Sequence, residues 1–102
     1  MLFSLVLSGC HPAQTEQLAF ICSNEESICK NWRDAYANAT GKNVSYLRLP
    51  TAQALTRIAS SPKTHEFDVW VGGPAENYVL AKRRGLLSAY KPTGITAIPA
   101  AV

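Results

Sequence analysis

Three cysteines and two histidines are the side chains of this sequence best suited to covalent or acid–base chemistry. Cys22 and Cys29 are separated by six residues, rather than by the two of a thioredoxin-like motif, which disfavours a redox site. A structural disulfide between them is the favoured interpretation, and two free buried thiols are the second. His11 lies near the amino terminus and His65 precedes a predicted strand, so we expect neither to activate a cysteine.

The other polar residues form no pattern that is typical of catalysis. Glu25 and Glu26 are adjacent, and adjacent residues on a helix point apart, so both are interpreted as acids of a first helical turn. Gly72-Gly73-Pro74 lacks the spacing of a phosphate-binding loop. Trp70 has a ring that can stack on a ligand, but an aromatic in a buried strand more often packs in the core. We therefore predict a protein that is not an enzyme and that uses neither a cofactor nor a metal ion.

The first ten residues resemble the end of a lipoprotein export signal. Leu2–Leu7 is apolar but much shorter than the ~20 residues that span a membrane, and Leu7-Ser8-Gly9-Cys10 matches the bacterial lipobox. We expect a truncated signal peptide over 1–10, lipidation of Cys10 and a polar tether over 11–17. Lipidation would leave an even number of cysteines in an oxidising envelope compartment. The alternative is a buried strand followed by an ordinary core thiol, and no positively charged segment precedes the apolar run.

Composition excludes several classes of protein. With 102 residues, of which 47% are apolar, the chain suffices for one domain with its own core and is too apolar for a disordered segment. The net charge is +3, and the single basic cluster, Lys82-Arg83-Arg84, suits the last turn of a helix, where cations complement the helix dipole. Because the chain carries no basic stripe, no nucleic-acid partner is predicted.

Hydrophobic patterning predicts strands that alternate with helices. The predicted strands are Leu18–Cys22, Val44–Leu49 and Phe67–Val71, each short and apolar, as in strands buried on both faces. Each is followed by a segment with helical spacing of its apolar residues. Alternation with short connections predicts an α/β fold, in which a parallel sheet has helices on both faces.

The first helix has the clearest signals at its ends. Ser23 and Glu26 have the spacing of a capping box, and Gly41 is expected to end the helix in a left-handed conformation. The apolar stripe expected to face the core is Ile28, Trp32, Ala35, Tyr36 and Ala39.

Small and hydroxyl-bearing residues follow each predicted strand. They are Ser23 and Asn24 after the first, Thr51 and Ala52 after the second, and Gly72 and Gly73 after the third. In an open parallel sheet, ligands bind beyond the carboxyl ends of the strands, where helix amino termini favour anions. These six residues are therefore the candidate ligand-binding residues. The alternative is that they are ordinary helix caps and a Gly-Gly-Pro turn.

The order of four stretches resembles the extracellular solute-binding proteins of the ferric-iron, phosphonate and sugar-phosphate importer group. The stretches are Cys22-Ser23-Asn24-Glu25-Glu26 with Cys29 downstream, Ala39-Thr40-Gly41-Lys42-Asn43-Val44, Asp68-Val69-Trp70-Val71-Gly72-Gly73 and Gly85-Leu86-Leu87-Ser88-Ala89-Tyr90. The likeness extends from Leu18 to about Ala100. It implies that 18–102 is part of the N-terminal lobe of a type II periplasmic-binding-protein fold, with the second lobe absent.

The resemblance also implies a function. Such a protein is the substrate-binding component of an ABC importer, held in the periplasm or cell envelope, and delivers a small solute to a permease in the inner membrane. Family members commonly use the three strand-end loops of this lobe for the ligand, which here are the six residues named above. No His follows the first strand, so an organic anion is favoured over ferric iron.

Two departures from the family and two rival functions remain. The second loop reads Pro50-Thr51-Ala52-Gln53 where the family often has Ser-Ser/Thr-Gly-Glu, and members are about three times as long as this chain. The rivals are an envelope thiol–disulfide protein that uses Cys22 and Cys29, and a small structural lipoprotein.

Overall fold

The computed structural model describes residues 17–60 and 66–94. Three strands and three helices alternate along the chain: β1 (Gln17–Cys22), α1 (Glu26–Thr40), β2 (Asn43–Arg48), α2 (Thr51–Ser60), β3 (Val69–Val71) and α3 (Ala75–Arg83). The predicted signal segment, Cys10 and both histidines lie outside the described residues. Within 17–60 and 66–94, no helix has the length and apolar character needed to cross a membrane.

The three strands form one parallel sheet in the order β2-β1-β3. Cys22, the last residue of β1, pairs with Arg48 on one side and with Val71 on the other, so the three strands end level with one another. The connections β1–α1–β2 and β2–α2–β3 run in opposite directions across the sheet, and right-handed crossovers therefore place α1 and α2 on opposite faces. The predicted α/β fold with a parallel sheet is confirmed.

Strand β1 lies at the centre of the core because it contributes to both faces of the sheet. Phe20 and Cys22 pack with Cys29 of α1 and Val44 of β2 in one apolar cluster. Ile21 points to the opposite face, since side chains alternate along a strand, and it is fully buried. The other buried residues of the described helices are Ala54 and Leu55 in α2 and Ala81 in α3.

The prediction for the apolar stripe of α1 is wrong. Ile28, Trp32 and Tyr36 are 37%, 44% and 41% exposed, whereas Cys29 is fully buried and Ala37 packs against the core cluster. Each step along a helix turns the side chain by about 100°, so the inward stripe lies one residue further along than predicted. The cause is the covalent link of Cys29 to β1 described below, which fixes this side of α1 toward the sheet.

The predicted capping box of Ser23 and Glu26 is also wrong. Helix α1 begins at Glu26, its N-cap is Glu25, and no side chain caps the first turn. Ser23 lies two residues before the cap, where its hydroxyl accepts a hydrogen bond from another strand. The predicted end of the helix is confirmed, because Gly41 has a φ of 69° and donates its N–H to the Ala37 carbonyl at 2.8 Å.

Strand β3 is shorter than predicted, and Asp68 explains where it begins. The Asp68 N–H donates to the Ala19 carbonyl at 2.8 Å, and the Asp68 carboxylate accepts the Ala19 N–H at 2.9 Å. One residue thus pairs with β1 through both its backbone and its side chain. Regular strand pairing starts after it, at Val69, rather than at Phe67.

Candidate ligand-binding site

The carboxyl ends of the three strands lie side by side at one edge of the sheet. Beyond the last paired residues, the Ser23 N–H donates to the Val71 carbonyl at 2.8 Å, and the Leu49 N–H donates to the Cys22 carbonyl at 3.1 Å. The chain leaves β1 toward β2 and later crosses to β3 on the other side. This reversal of strand order opens a crevice at the strand ends, which is where ligands bind in open α/β sheets.

We call the six residues that follow the strands the rim: Ser23, Asn24, Thr51, Ala52, Gly72 and Gly73. The structure brings members of all three pairs into contact. Ser23, Asn24, Thr51 and Gly72 are partly buried, while Ala52 and Gly73 are exposed. Ala52 is the second residue of α2 and makes the smallest contribution to the rim.

Gly72 allows the end of β3 to approach the end of β1. Its φ is +86°, and a Cβ at this position would lie 2.5 Å from Asn24 Nδ2 and 3.2 Å from the Ser23 carbonyl carbon. Any side chain would therefore displace the Asn24 amide, in addition to the strain of a left-handed backbone. Glycine at 72 thus keeps the Asn24 side chain in its place between the ends of β1 and β3.

Gly73 allows the end of β3 to approach the end of β2. Its φ is +81°, and a Cβ would overlap Thr51 Oγ1 and lie 3.0 Å from Thr51 Cγ2. Thr51 is the first residue of α2, so this contact places the helix amino terminus against the third strand end. Gly72 and Gly73 thus allow the end of β3 to contact the segments that follow β1 and β2.

Two aromatic residues that the sequence did not assign to the site support the rim from below. Trp70 donates from Nε1 to Ser23 Oγ at 3.0 Å, and Tyr78 of α3 donates its hydroxyl to the Gly72 carbonyl at 2.6 Å. The two rings stack with centroids 4.1 Å apart and an interplanar angle of 25°. Burial raises the pKa of Tyr78 above its ordinary value of 10.0, so the hydroxyl remains a donor to higher pH than in an exposed tyrosine.

Arg48 was likewise missed as a site residue, because the sequence places it simply at the end of β2. Its Nε donates to the Asn24 carbonyl at 2.6 Å. The cross-strand pairing of Arg48 with Cys22 puts the guanidinium beside the first strand end. The positively charged guanidinium is thereby held next to the rim, and the backbone oxygen of Asn24 accepts its hydrogen bond.

The amino termini of α1, α2 and α3 all lie just beyond the rim. Glu25 and Pro74, the N-caps of α1 and α3, give no side-chain hydrogen bond to the first turn, so backbone N–H groups there lack a side-chain acceptor. Glu26 and Glu76 carry negative charge in those two turns, whereas the first turn of α2 has no acid. The α2 terminus beside Thr51 is therefore the most favourable of the three for an anion.

A disulfide joins Cys22 to Cys29, with 5.8 Å between their Cα atoms. It closes a short loop that contains Ser23 and Asn24, and so anchors the first strand end to α1. Both cysteines have no exposed surface. A thiol–disulfide enzyme needs an accessible sulfur for attack by another thiol, and a buried pair is instead suited to a structural role.

Metal-binding side chains do not cluster in 17–60 and 66–94, where no three His, Cys, Asp or Glu residues lie close enough to hold an ion.

Comparisons with known proteins identify the fold. No protein-family model and no curated protein matches the sequence. Among solved structures, the chain is similar to the periplasmic binding protein P5PA, with a TM-score of 0.73 and 23% identity over 76% of this chain and 24% of that one. It is also similar to the periplasmic binding protein AfuA from Actinobacillus pleuropneumoniae with exogenous fructose-6-phosphate bound, with a TM-score of 0.77 and 25% identity over 81% of this chain and 26% of that one.

The chain therefore spans about a quarter of the length of both structures. The two matches take in 76% and 81% of this chain. These residues have the α/β fold of periplasmic binding proteins.

Proposed function

We propose that this chain belongs to the substrate-binding component of an ABC importer, which captures a small anionic solute in the periplasm and delivers it to a permease. The observation that carries the proposal is the meeting of three strand ends at the crevice between β1 and β3. Glycines at 72 and 73, both with positive φ, allow these ends to come into contact. The fold likeness to two periplasmic binding proteins supports this role.

An anion suits the polarity of the rim. Arg48 lies beside Asn24, and the amino terminus of α2, whose first turn carries no acid, begins at Thr51 in the rim. The AfuA structure holds fructose-6-phosphate, which makes a phosphorylated sugar the first ligand to test. Ferric iron is the less favoured ligand, because the rim itself contains no carboxylate, thiolate or imidazole.

Export and anchoring complete the proposal. Lipidation of Cys10 would hold the protein at the envelope membrane, with the tether, shortened to 11–16 because Gln17 begins β1, leading into the sheet. The disulfide between Cys22 and Cys29 suits the oxidising compartment that this location implies. Its complete burial argues against the thiol–disulfide enzyme as a second candidate.

The experiment is a calorimetric titration of the protein made from its complete reading frame. The panel is fructose-6-phosphate, inorganic phosphate, ferric citrate and fructose, the last being a neutral control of the same carbon skeleton. We expect micromolar or tighter binding of the phosphorylated sugar and no heat from fructose. Equal affinity for fructose and its phosphate would contradict the anion preference. Tight binding of ferric citrate alone would replace the proposed ligand class.

A further inference from the structure

Trp70 and Tyr78 form one unit that contacts two of the three strand ends. The indole N–H reaches Ser23 after β1, and the phenol O–H reaches Gly72 after β3. The stacked rings join these two bonds, and both residues are partly buried. A displacement of either ring would therefore move both strand ends.

The two bonds also decide which polar groups the strand ends offer to a ligand. A serine hydroxyl has one hydrogen to donate and two lone pairs to accept with. Trp70 uses an accepting position of Ser23, which leaves the hydroxyl hydrogen for another partner. Tyr78 occupies the Gly72 carbonyl in the same way. Both interactions reduce the accepting capacity of the rim and keep its donors available.

Tyr78 also covers one face of Trp70. With centroids 4.1 Å apart, that face has no room for a solute. Two roles considered from the sequence for Trp70 were ligand stacking and core packing. The hydrogen bond to Ser23 indicates a third role, which needs the indole nitrogen as well as the ring.

We infer that Trp70 and Tyr78 are positioning residues that hold Ser23 and Gly72 in the geometry and polarity required for an anionic solute. The inference rests on the proposed solute-binding function. It predicts that the two donor groups matter for affinity, even when the rings that surround them are kept.

The test compares variants that lose a donor group and keep an aromatic ring, with controls that lose the same atoms elsewhere. Trp70→Phe and Tyr78→Phe keep an aromatic ring for the stack but remove the N–H and the O–H. Trp32→Phe and Tyr36→Phe are matched controls, because they make the same changes on the exposed stripe of α1. All are made in the protein from the complete reading frame and titrated with fructose-6-phosphate and inorganic phosphate. Titrations are run well below the thermal midpoint of each variant.

We expect each site variant to bind the phosphorylated probe roughly tenfold more weakly, the effect of one well-placed hydrogen bond, while the controls bind like wild type. An independent readout is the indole N–H resonance of Trp70, which should shift and exchange faster in Ser23→Ala while that of Trp32 is unchanged.

The outcomes separate the inference from the function it rests on. If wild type binds the probe and both site variants bind it equally well, the positioning role is wrong and solute binding stands. Lower thermal midpoints with unchanged affinity would also contradict it, since they indicate a structural role alone. If wild type binds neither probe, the anionic-solute function fails and the inference fails with it.

Discussion

Gly73 and Thr51 touch at the point where the end of β3 meets the amino terminus of α2. The contact is so close that a single methyl group on Gly73 would overlap the Thr51 hydroxyl oxygen. These residues are far apart in the sequence and belong to different strand–helix connections. A methyl group on Gly73 would therefore displace the Thr51 side chain from its place in the rim.

Gly73→Ala is expected to be much more harmful than Gly85→Ala. Both glycines have positive φ, at 81° and 71°, so both substitutions introduce left-handed strain of about 1–2 kcal/mol. Only Gly73→Ala also displaces Thr51, since nothing lies within 4 Å of a Cβ at Gly85. Urea denaturation should therefore show a larger loss of stability for Gly73→Ala, and calorimetry should show lost affinity for that variant alone.

A double-mutant cycle isolates the contact. Thr51→Ala removes the overlapping Oγ1 and should restore part of the stability that Gly73→Ala loses. Additive effects of the two substitutions would mean that the backbone moves apart without strain between these residues.

Removal of the disulfide should reduce stability without removing a catalytic activity. The bond closes a short loop between positions seven apart, and loop-closure entropy for such a loop corresponds to about 2.5 kcal/mol. Cys22→Ala/Cys29→Ala should lose a similar free energy of unfolding in guanidinium titrations. Wild type should show no turnover in an insulin-reduction assay. Turnover that disappears in Cys29→Ser would instead support the thiol–disulfide function.

The exposed edge at β3 should make the 102-residue chain associate when it is expressed alone. Among the described strands β3 is an edge strand, and Val69 on it is 45% exposed; such edges pair with other chains. Val69→Lys should shift light-scattering measurements toward the monomer. Val79→Lys is the control, because Val79 is equally exposed, at 46%, but lies on α3.

If both lysine variants shift light scattering toward the monomer equally, then added charge, rather than a blocked strand edge, suppresses association.

The ion pair between Arg57 and Glu66 should make stability depend on acid pH. Arg57 bonds to both carboxylate oxygens, at 2.5 and 3.3 Å, and these hydrogen bonds lower the pKa of Glu66 below its ordinary value of 4.5. A lowered carboxyl pKa adds stability above the unfolded-state value, and this stability is lost as pH falls through the folded-state value. The effect should be small, because both side chains are about half exposed.

The pair is tested by denaturation between pH 7 and pH 3. Glu66→Gln should flatten the acid limb of the stability curve, and Arg57→Gln should flatten it to a similar extent. The double variant should add nothing further, since each single substitution already removes the pair. Independent, additive changes would show that the pair does not contribute to the acid limb.

The order of the elements could be predicted from the sequence because its signals are local. Apolar runs ending at Cys22 and Val71 marked two strand ends to the residue, and Gly41 marked a helix end through its own backbone preference. The six rim residues followed from the strand ends alone. Their role in ligand binding remains a prediction.

The contacts that support the rim could not be predicted, because they depend on strand register. Trp70 meets Ser23 across 47 positions only because Val71 pairs with Cys22. The prediction for the apolar stripe of α1 was wrong for a related reason. Periodicity shows which residues share a helix face, but the disulfide from Cys29 to β1 decides which face turns inward. Neither pairing leaves a local signal in the chain.

The same disulfide has a consequence for how the proposed solute preference could be redesigned. Ser23 and Asn24 sit in a loop whose two ends are covalently joined, so the path of its backbone depends little on the side chains it carries. Of the two, Ser23 is engaged by Trp70, which leaves Asn24 as the position where charge, size or hydrogen bonding can be changed while the loop keeps its ends joined. A protein engineer who tests the proposed solute binding by redirecting it would therefore begin with Asn24.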